Sequence, residues 1–264
     1  MVLRGSIYSK LLGMESGITV ITPNDYGQTE RYRVCYVFHG MCGGNGDFAN
    51  FSMLPYLAFD KDVIYICPEV QHSFYCNMKH GYRYFDYVAE ELPETVKRVF
   101  NISAAREDTA VMGCSMGGYG ALKCALTYPE NYGFCAALSP AFTSLSEEVA
   151  KWKKKGRAGF PFFYNIIGRD MEFDVGEDIT VLAEKALNNG VFPRLYVTTG
   201  TQDMLREDNL EFKARMERMG YPFEFEEIEG KHDFFLFEQG VRRAVERFLN
   251  MKPAAGDAAA EETE

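Results

Sequence analysis

The sequence predicts an α/β domain built on a mostly parallel, twisted sheet with helices on both faces, and three observations predict it. Short apolar runs rich in β-branched and aromatic residues alternate with amphipathic stretches of helical length along most of the chain. The length of 264 residues and a hydrophobic content of 47% supply one large core. A glycine-crowded turn also joins one of the apolar runs to a helical stretch at Gly113, Cys114, Ser115, Met116, Gly117 and Gly118.

Taken in order, Ile18 to Thr22 and Tyr32 to Phe38 read as strands separated by the turn signal Pro23, Asn24, Asp25, Tyr26, Gly27, which predicts an opening antiparallel hairpin. Val63 to Cys67 is a third strand ended by Pro68, and Tyr84 to Phe100 reads as helix despite Pro93. Asp108 to Cys114 is the strand that enters the glycine turn, and the helix beyond it places Leu122, Ala125 and Leu126 on one face before Pro129. Phe134 to Leu138 and Arg194 to Thr199 continue the strands. A helix from Glu207 to Met219 is closed by Gly220, a last strand carries Phe223, Phe225 and Ile228, and a final helix runs through Val241, Ala244, Val245 and Phe248.

The alternation lapses over residues 140–179, a segment containing the single tryptophan, Trp152, and the cluster Phe160, Phe162, Phe163, Tyr164. A long irregular insertion in a compact domain is either a lid-like binding loop or aromatic packing against the sheet edge, and both readings stay open. Residues 1–252 are expected to form one domain. Residues 253–264, PAAGDAAAEETE, lack an apolar face and are expected to be a disordered acidic tail.

Composition excludes some functions. A net charge of −10 gives no footprint for nucleic acid, and the lysine cluster from Lys151 to Arg157 reads as a solvated helix face. No apolar run reaches the ~18 residues of a membrane helix. Seven cysteines without CxxC pairing suit a reducing compartment, and the start lacks a secretory h-region, so a cytoplasmic location is expected. Nothing in the residue pattern calls for a metal or cofactor.

The glycine turn carries the chemistry. Gly113 to Gly117 is a GxSxG pattern, in which a sharp strand-to-helix reversal holds the central serine in a strained conformation that tolerates only small neighbours. Ser115 is therefore the candidate nucleophile. A serine hydroxyl needs a base, and of the four histidines, His39, His72, His80 and His232, only His232 follows Ser115 in the order serine, acid, histidine. The acid should end the preceding strand, where Asp203 stands; Asp170, Asp174, Asp178 and Asp208 are the competitors.

An oxyanion needs backbone donors. The N–H of Met116, directly after the nucleophile, is one. The N–H of Met41, on the loop Phe38 to Gly46, is the other, and His39 is expected to brace that loop. The same loop lacks the Lys-Ser/Thr of a phosphate-binding P-loop. Cys114 reads as a packed small apolar residue.

The phrases FHGMCGG, HSFYCNMKHGYRYFDYVAEELP, GCSMGGYGALKCALTYPENYGFCAALSPA, TGTQD and GKHDF resemble the esterase D and feruloyl esterase group of α/β-hydrolases, nearest the bacterial tributyrin esterase type. The resemblance spans about Tyr32 to Leu249. It implies the α/β-hydrolase fold and hydrolysis of short-chain carboxylic esters, in relatives including acetyl or feruloyl esters of plant polysaccharides. It also places nucleophile, acid, base and oxyanion donors on Ser115, Asp203, His232, Met41 and Met116. Phe234 and Phe235 stand where relatives usually carry a tryptophan.

Candidate substrate contacts are His39 and Gly40 on the glycine loop, Trp152 and Phe162 in the insertion, and Phe234 after the histidine. The expected partner is a small-molecule or oligosaccharide ester, with no nucleic acid and no membrane, and homo-oligomer formation is left open. Two other readings remain: a thioesterase of the S-formylglutathione hydrolase type, and a non-catalytic hydrolase-like binding module.

Overall fold

The chain opens with an antiparallel hairpin, β1 (Val2–Ser9) and β2 (Met14–Ile21), paired from Val2 opposite Ile21 to Ser9 opposite Met14 and turned by Gly13 at φ 67°. The computed structural model describes residues 1–141, 145–154, 163–168 and 178–252. This hairpin is not the one expected. β3 (Arg33–Phe38) does not pair with β2; β2 lies antiparallel to β4 (Val63–Pro68), and β3 lies parallel to β4.

The connection between β2 and β3 is too long for a tight turn and folds on itself. The Tyr32 hydroxyl accepts the N–H groups of Gly27 and Thr29, its ring packs 5.1 Å from Tyr26, and its backbone N–H donates to Asn101 O. The chain thereby crosses β4 and enters the parallel part of the sheet. Every residue of β3 and β4 is buried, as unbroken apolar runs in a sheet covered on both faces require.

Beyond β3 come α1 (Asp47–Phe51) and α2 (Leu54–Leu57), and the helix expected over Tyr84 to Phe100 follows β4 in three parts. These are α3 (Tyr84–Asp86), a π turn (Tyr87–Glu91) and α4 (Leu92–Val99). Leu92 N–H reaches back to Tyr87 O, and this wide turn just before Pro93 absorbs the helix-breaking residue without ending the rod.

The alternation then runs β5 (Thr109–Cys114), α5 (Met116–Thr127), β6 (Phe134–Leu138), α6 (Leu145–Lys154), α7 (Phe163–Ile167), α8 (Ile179–Asn188), β7 (Arg194–Gly200), α9 (Arg206–Met219), β8 (Phe223–Ile228) and α10 (Phe234–Leu249). Asp108 lies in a short 3-10 turn before β5 rather than in the strand. The sheet order is β1-β2-β4-β3-β5-β6-β7-β8, parallel from β4 onward.

Side chains alternate across this sheet with period two. One face joins Val34, Tyr36, Val111 and Val197 to Leu92, Leu122, Ala183 and Phe212 of α4, α5, α8 and α9. The other joins Cys35, Val37, Met112 and Ala136 to Phe48, Leu54, Val241 and Phe248 of α1, α2 and α10. All the parallel strands therefore present their carboxyl ends, and the loops that follow them, along one edge.

Within the insertion, Phe163 is buried with its ring 4.9 Å from that of Phe74, so this aromatic packs rather than lining a lid. The side chain of Trp152, and the whole of Phe160, Phe162 and the tail 253–264, lie outside the described residues. Among the described residues no helix is long and apolar enough to cross a membrane.

Candidate active site

β5 passes into α5 through Ser115 alone, held at φ 55°, ψ −118°. That conformation is open to glycine and costly for any residue with a Cβ. Its surroundings fix it: Ser115 N–H donates to Leu138 O at 2.9 Å, and its carbonyl accepts from Tyr119 and Ala141, each at 3.1 Å. The flanking glycines are required by space. A Cβ on Gly113 would stand 2.3 Å from Gly117 O, and one on Gly117 would stand 2.1 Å from Phe38 O.

His232 stands in the loop after β8. Two backbone bonds stitch this loop to the one after β7, Thr201 N–H to Ile228 O at 2.9 Å and Gln202 N–H to Gly230 O at 3.0 Å. The next residue, Asp233, caps α10 by accepting Phe235 and Leu236 N–H, and the edge of the imidazole meets the Phe237 ring at 5.1 Å and 88°. The ring is thus held from both sides, with Nε2 at 2.9 Å from Ser115 Oγ and Nδ1 at 2.8 Å from Asp203 Oδ2.

Asp203 has a fully buried carboxylate. Burial alone would raise its pKa, but hydrogen bonds from His232, from the Ser139 hydroxyl (2.6 Å) and from Leu205 N–H (2.7 Å) outweigh it and hold the carboxyl below its ordinary value. Nδ1 therefore faces an anion, which fixes the tautomer that leaves Nε2 free to accept the serine proton. The rival carboxylates are elsewhere: Asp178 caps α8 through Thr180 N–H, Asp208 lies within α9, and Asp170 and Asp174 are outside the described residues.

The glycine loop runs beside the nucleophile. A Cβ on Gly40 would lie 3.7 Å from that of Ser115, so Gly40, which precedes Met41, passes close beside the nucleophile. Met116 is the first residue of α5, and helix N-termini present unpaired N–H groups. Neither Met41 nor Met116 N–H donates to another described residue.

His39 is corrected as a substrate contact. It is 1% exposed, its Nδ1 bonds Gly40 O at 2.8 Å, and its Nε2 takes Val70 N–H at 3.2 Å, so both nitrogens are committed to backbone and the ring braces the loop. Glu69, which the sequence did not single out, completes that brace. Its carboxylate accepts Asn45 N–H at 3.0 Å and Gln71 N–H at 2.9 Å, tying the glycine loop to the segment after β4.

Phe234 packs among Phe48, Phe51 and Phe237, at 5.9, 5.4 and 5.7 Å. Cys114 is buried, which pushes its thiol up to about 12 and leaves it a packing residue. Ser139 is the other residue that sequence reasoning missed, because only the fold brings it to the acid.

The chain matches the family model described as "Putative esterase" over residues 9–247. It is 28% identical to an acetyl esterase of Caldicellulosiruptor saccharolyticus, over 93% of this chain and 97% of that protein. Among solved structures, the fluorophosphonate-binding serine hydrolase FphF of Staphylococcus aureus superposes with a TM-score of 0.83 at 28% identity, covering 95% of this chain and 98% of the other. The S-formylglutathione hydrolase FrmB of the same organism gives 0.82 at 28% identity, with 95% and 99% covered. Fold, matched span and relatives agree, and the chain belongs to the putative esterase family, as a serine carboxylic-ester hydrolase of α/β-hydrolase fold.

Proposed function

We propose that the chain hydrolyses short-chain acyl esters through Ser115, His232 and Asp203. The observation that carries this is the unbroken relay from Ser115 Oγ to His232 Nε2 at 2.9 Å and from Nδ1 to Asp203 at 2.8 Å. Ser115 attacks the ester carbonyl as His232 takes its proton, and Asp203 stabilises the imidazolium that forms. Met41 and Met116 N–H groups receive the oxyanion, each such donor contributing ~2.7–4 kcal/mol to the transition state. His232 then protonates the leaving alcohol, and a water molecule releases the acyl group by the reverse sequence.

The acetyl esterase relative supports a small acyl group, and acetyl or feruloyl esters of plant-derived carbohydrate are the substrates proposed. A second reading, thioester hydrolysis, is favoured by the likeness to the S-formylglutathione hydrolase. Seven free thiols, six of them buried, support a reducing, cytoplasmic setting. The deciding experiment assays acetyl, butyryl, feruloyl and acetylated-xylooligosaccharide esters and a glutathione thioester with wild type and Ser115→Ala. The wild type should turn over acetyl esters and take a fluorophosphonate label, and the variant should do neither. Turnover by Ser115→Ala would sink the assignment.

A further inference from the structure

Ser139 is the first residue after β6, and three features set it apart. It is fully buried, its φ is 47°, and its hydroxyl lies 2.6 Å from Asp203 Oδ2 and 3.2 Å from Thr199 Oγ1. The positive φ belongs to a region that glycine enters freely and a side chain enters only against steric resistance. Its backbone N–H donates to Thr198 O at 2.7 Å, which holds the residue in register with β7, the strand that ends at the acid's own loop.

Hydrogen-bond valence orders these contacts. The Asp203 carboxylate accepts only, so the Ser139 proton goes to Oδ2, and Thr199 completes the set by donating to Ser139 Oγ. The resulting chain, Thr199 to Ser139 to Asp203, polarises in one direction. Leu205 N–H holds Oδ1 at 2.7 Å, so the two carboxylate oxygens are gripped by donors from different loops. Rotation of the carboxylate is thereby blocked, and its remaining accepting directions face His232 Nδ1.

We propose that Ser139 is a positioning residue for the ester-hydrolysing site: its hydroxyl fixes the plane of the Asp203 carboxylate and shares its charge, and so sets how firmly His232 holds a proton during attack. The inference rests on the relay proposed above. Asp203 is the charged partner that faces the imidazole, while the neighbouring Asp233 is turned to cap α10. Removing the Ser139 donor leaves more negative charge on Oδ2, which favours the imidazolium over the neutral ring.

Two variants separate the hydroxyl from the backbone. Ser139→Gly deletes the hydroxyl while suiting the positive φ, and Ser139→Ala deletes it while keeping the Cβ. Both are compared with wild type for kcat and KM on p-nitrophenyl acetate between about pH 5 and 9, alongside thermal unfolding. The expected result is a loss of about 10-fold in kcat with little change in KM, the effect of one hydrogen bond to a charged group, and an acid limb moved to higher pH in both variants. A residue needed only for folding would lower the melting temperature without moving that limb.

A Ser139→Gly enzyme within about twofold of wild-type kcat and with an unmoved limb overturns the inference while leaving the relay intact. Turnover by Ser115→Ala in the same assay overturns both.

Discussion

Gly117→Ala puts the site's architecture under the smallest test. In an ordinary helix, alanine for glycine is favourable by about 1 kcal/mol, so propensity alone predicts a more stable enzyme. The structure predicts the opposite. The new methyl would meet Phe38 O at 2.1 Å, Phe38 C at 2.6 Å and His39 O at 2.7 Å, all backbone atoms, where ordinary contact begins at 3.4 Å.

The end of β3 and the start of α5 must therefore separate by about 1 Å or more, an overpacking that costs roughly 1–3 kcal/mol and exceeds the propensity gain. β3 resists, because Phe38 is paired with Gly113 and its ring is stacked on Tyr75 at 4.5 Å. The separation opens the space between the residues that carry Met41 and Met116 N–H. Losing one oxyanion donor lowers kcat by about 100- to 1000-fold. The assay is kcat on p-nitrophenyl acetate with thermal unfolding of the same preparation. A variant with wild-type kcat and an unchanged or higher melting temperature would refute the claim that these two segments are in backbone contact.

Three further outcomes follow from the same geometry. Ser115→Gly abolishes turnover yet unfolds at higher temperature than Ser115→Ala, because glycine relieves a backbone at φ 55°, ψ −118° worth about 1–3 kcal/mol; equal melting temperatures would count against strain at the elbow. Asp203→Asn keeps the fold but lowers kcat on the order of 10⁴-fold, as the imidazole loses the anion that fixes its tautomer, and a loss under about tenfold would remove Asp203 from the relay. The Glu69 carboxyl, which burial alone would raise, is held below its ordinary value, with the His39 ring and the N–H groups of Gln71 and Asn45 as its neighbours. Because Val70 N–H already occupies that ring nitrogen, the two backbone donors to the carboxylate account for the effect. Folded below unfolded, its stabilisation is complete above the ordinary value of 4.5 and is progressively lost as pH falls below it. Glu69→Gln should therefore cost about 1–2 kcal/mol near neutrality, with the gap to wild type closing below pH 4.5 in denaturant titrations; a gap independent of pH would contradict the charge-based account.

The parallel core was legible because strands buried on both faces read as unbroken apolar runs, and the candidate site was legible where chemistry and chain order coincide, in that Ser115, Asp203 and His232 stand within hydrogen-bond distance of one another. The first strand was not. Val2 to Ser9 is an edge strand with most positions exposed, so it lacks the apolar signal, and the apolar pattern places the hairpin one strand too late. The π turn left no pattern either, since a single extra residue blurs helical spacing without erasing it. Ser139 and Glu69 were invisible for a different reason: each acts on groups many residues away, and no local pattern records a contact that exists only once the sheet has formed. The sequence does not separate the two roles of His39, because a histidine beside a glycine loop carries the same letters whether it faces a ligand or the backbone.

That wide turn at Tyr87–Glu91 works as a phase shifter. It lets the residues before it and the residues after it both face the sheet although their spacing would not otherwise agree, with Tyr84, Tyr87 and Val88 on one side of the joint and Leu92 and Val96 on the other, all buried. Removing one residue there would restore an ordinary α turn and leave Leu92 and Val96 facing the sheet, whereas removing one from the regular turn between Leu92 and Val96 would rotate everything beyond it by about 100° about the helix axis, carrying Val96 toward water and bringing Lys97 toward the apolar layer. Insertions and deletions in this stretch are therefore constrained by angular phase as much as by composition.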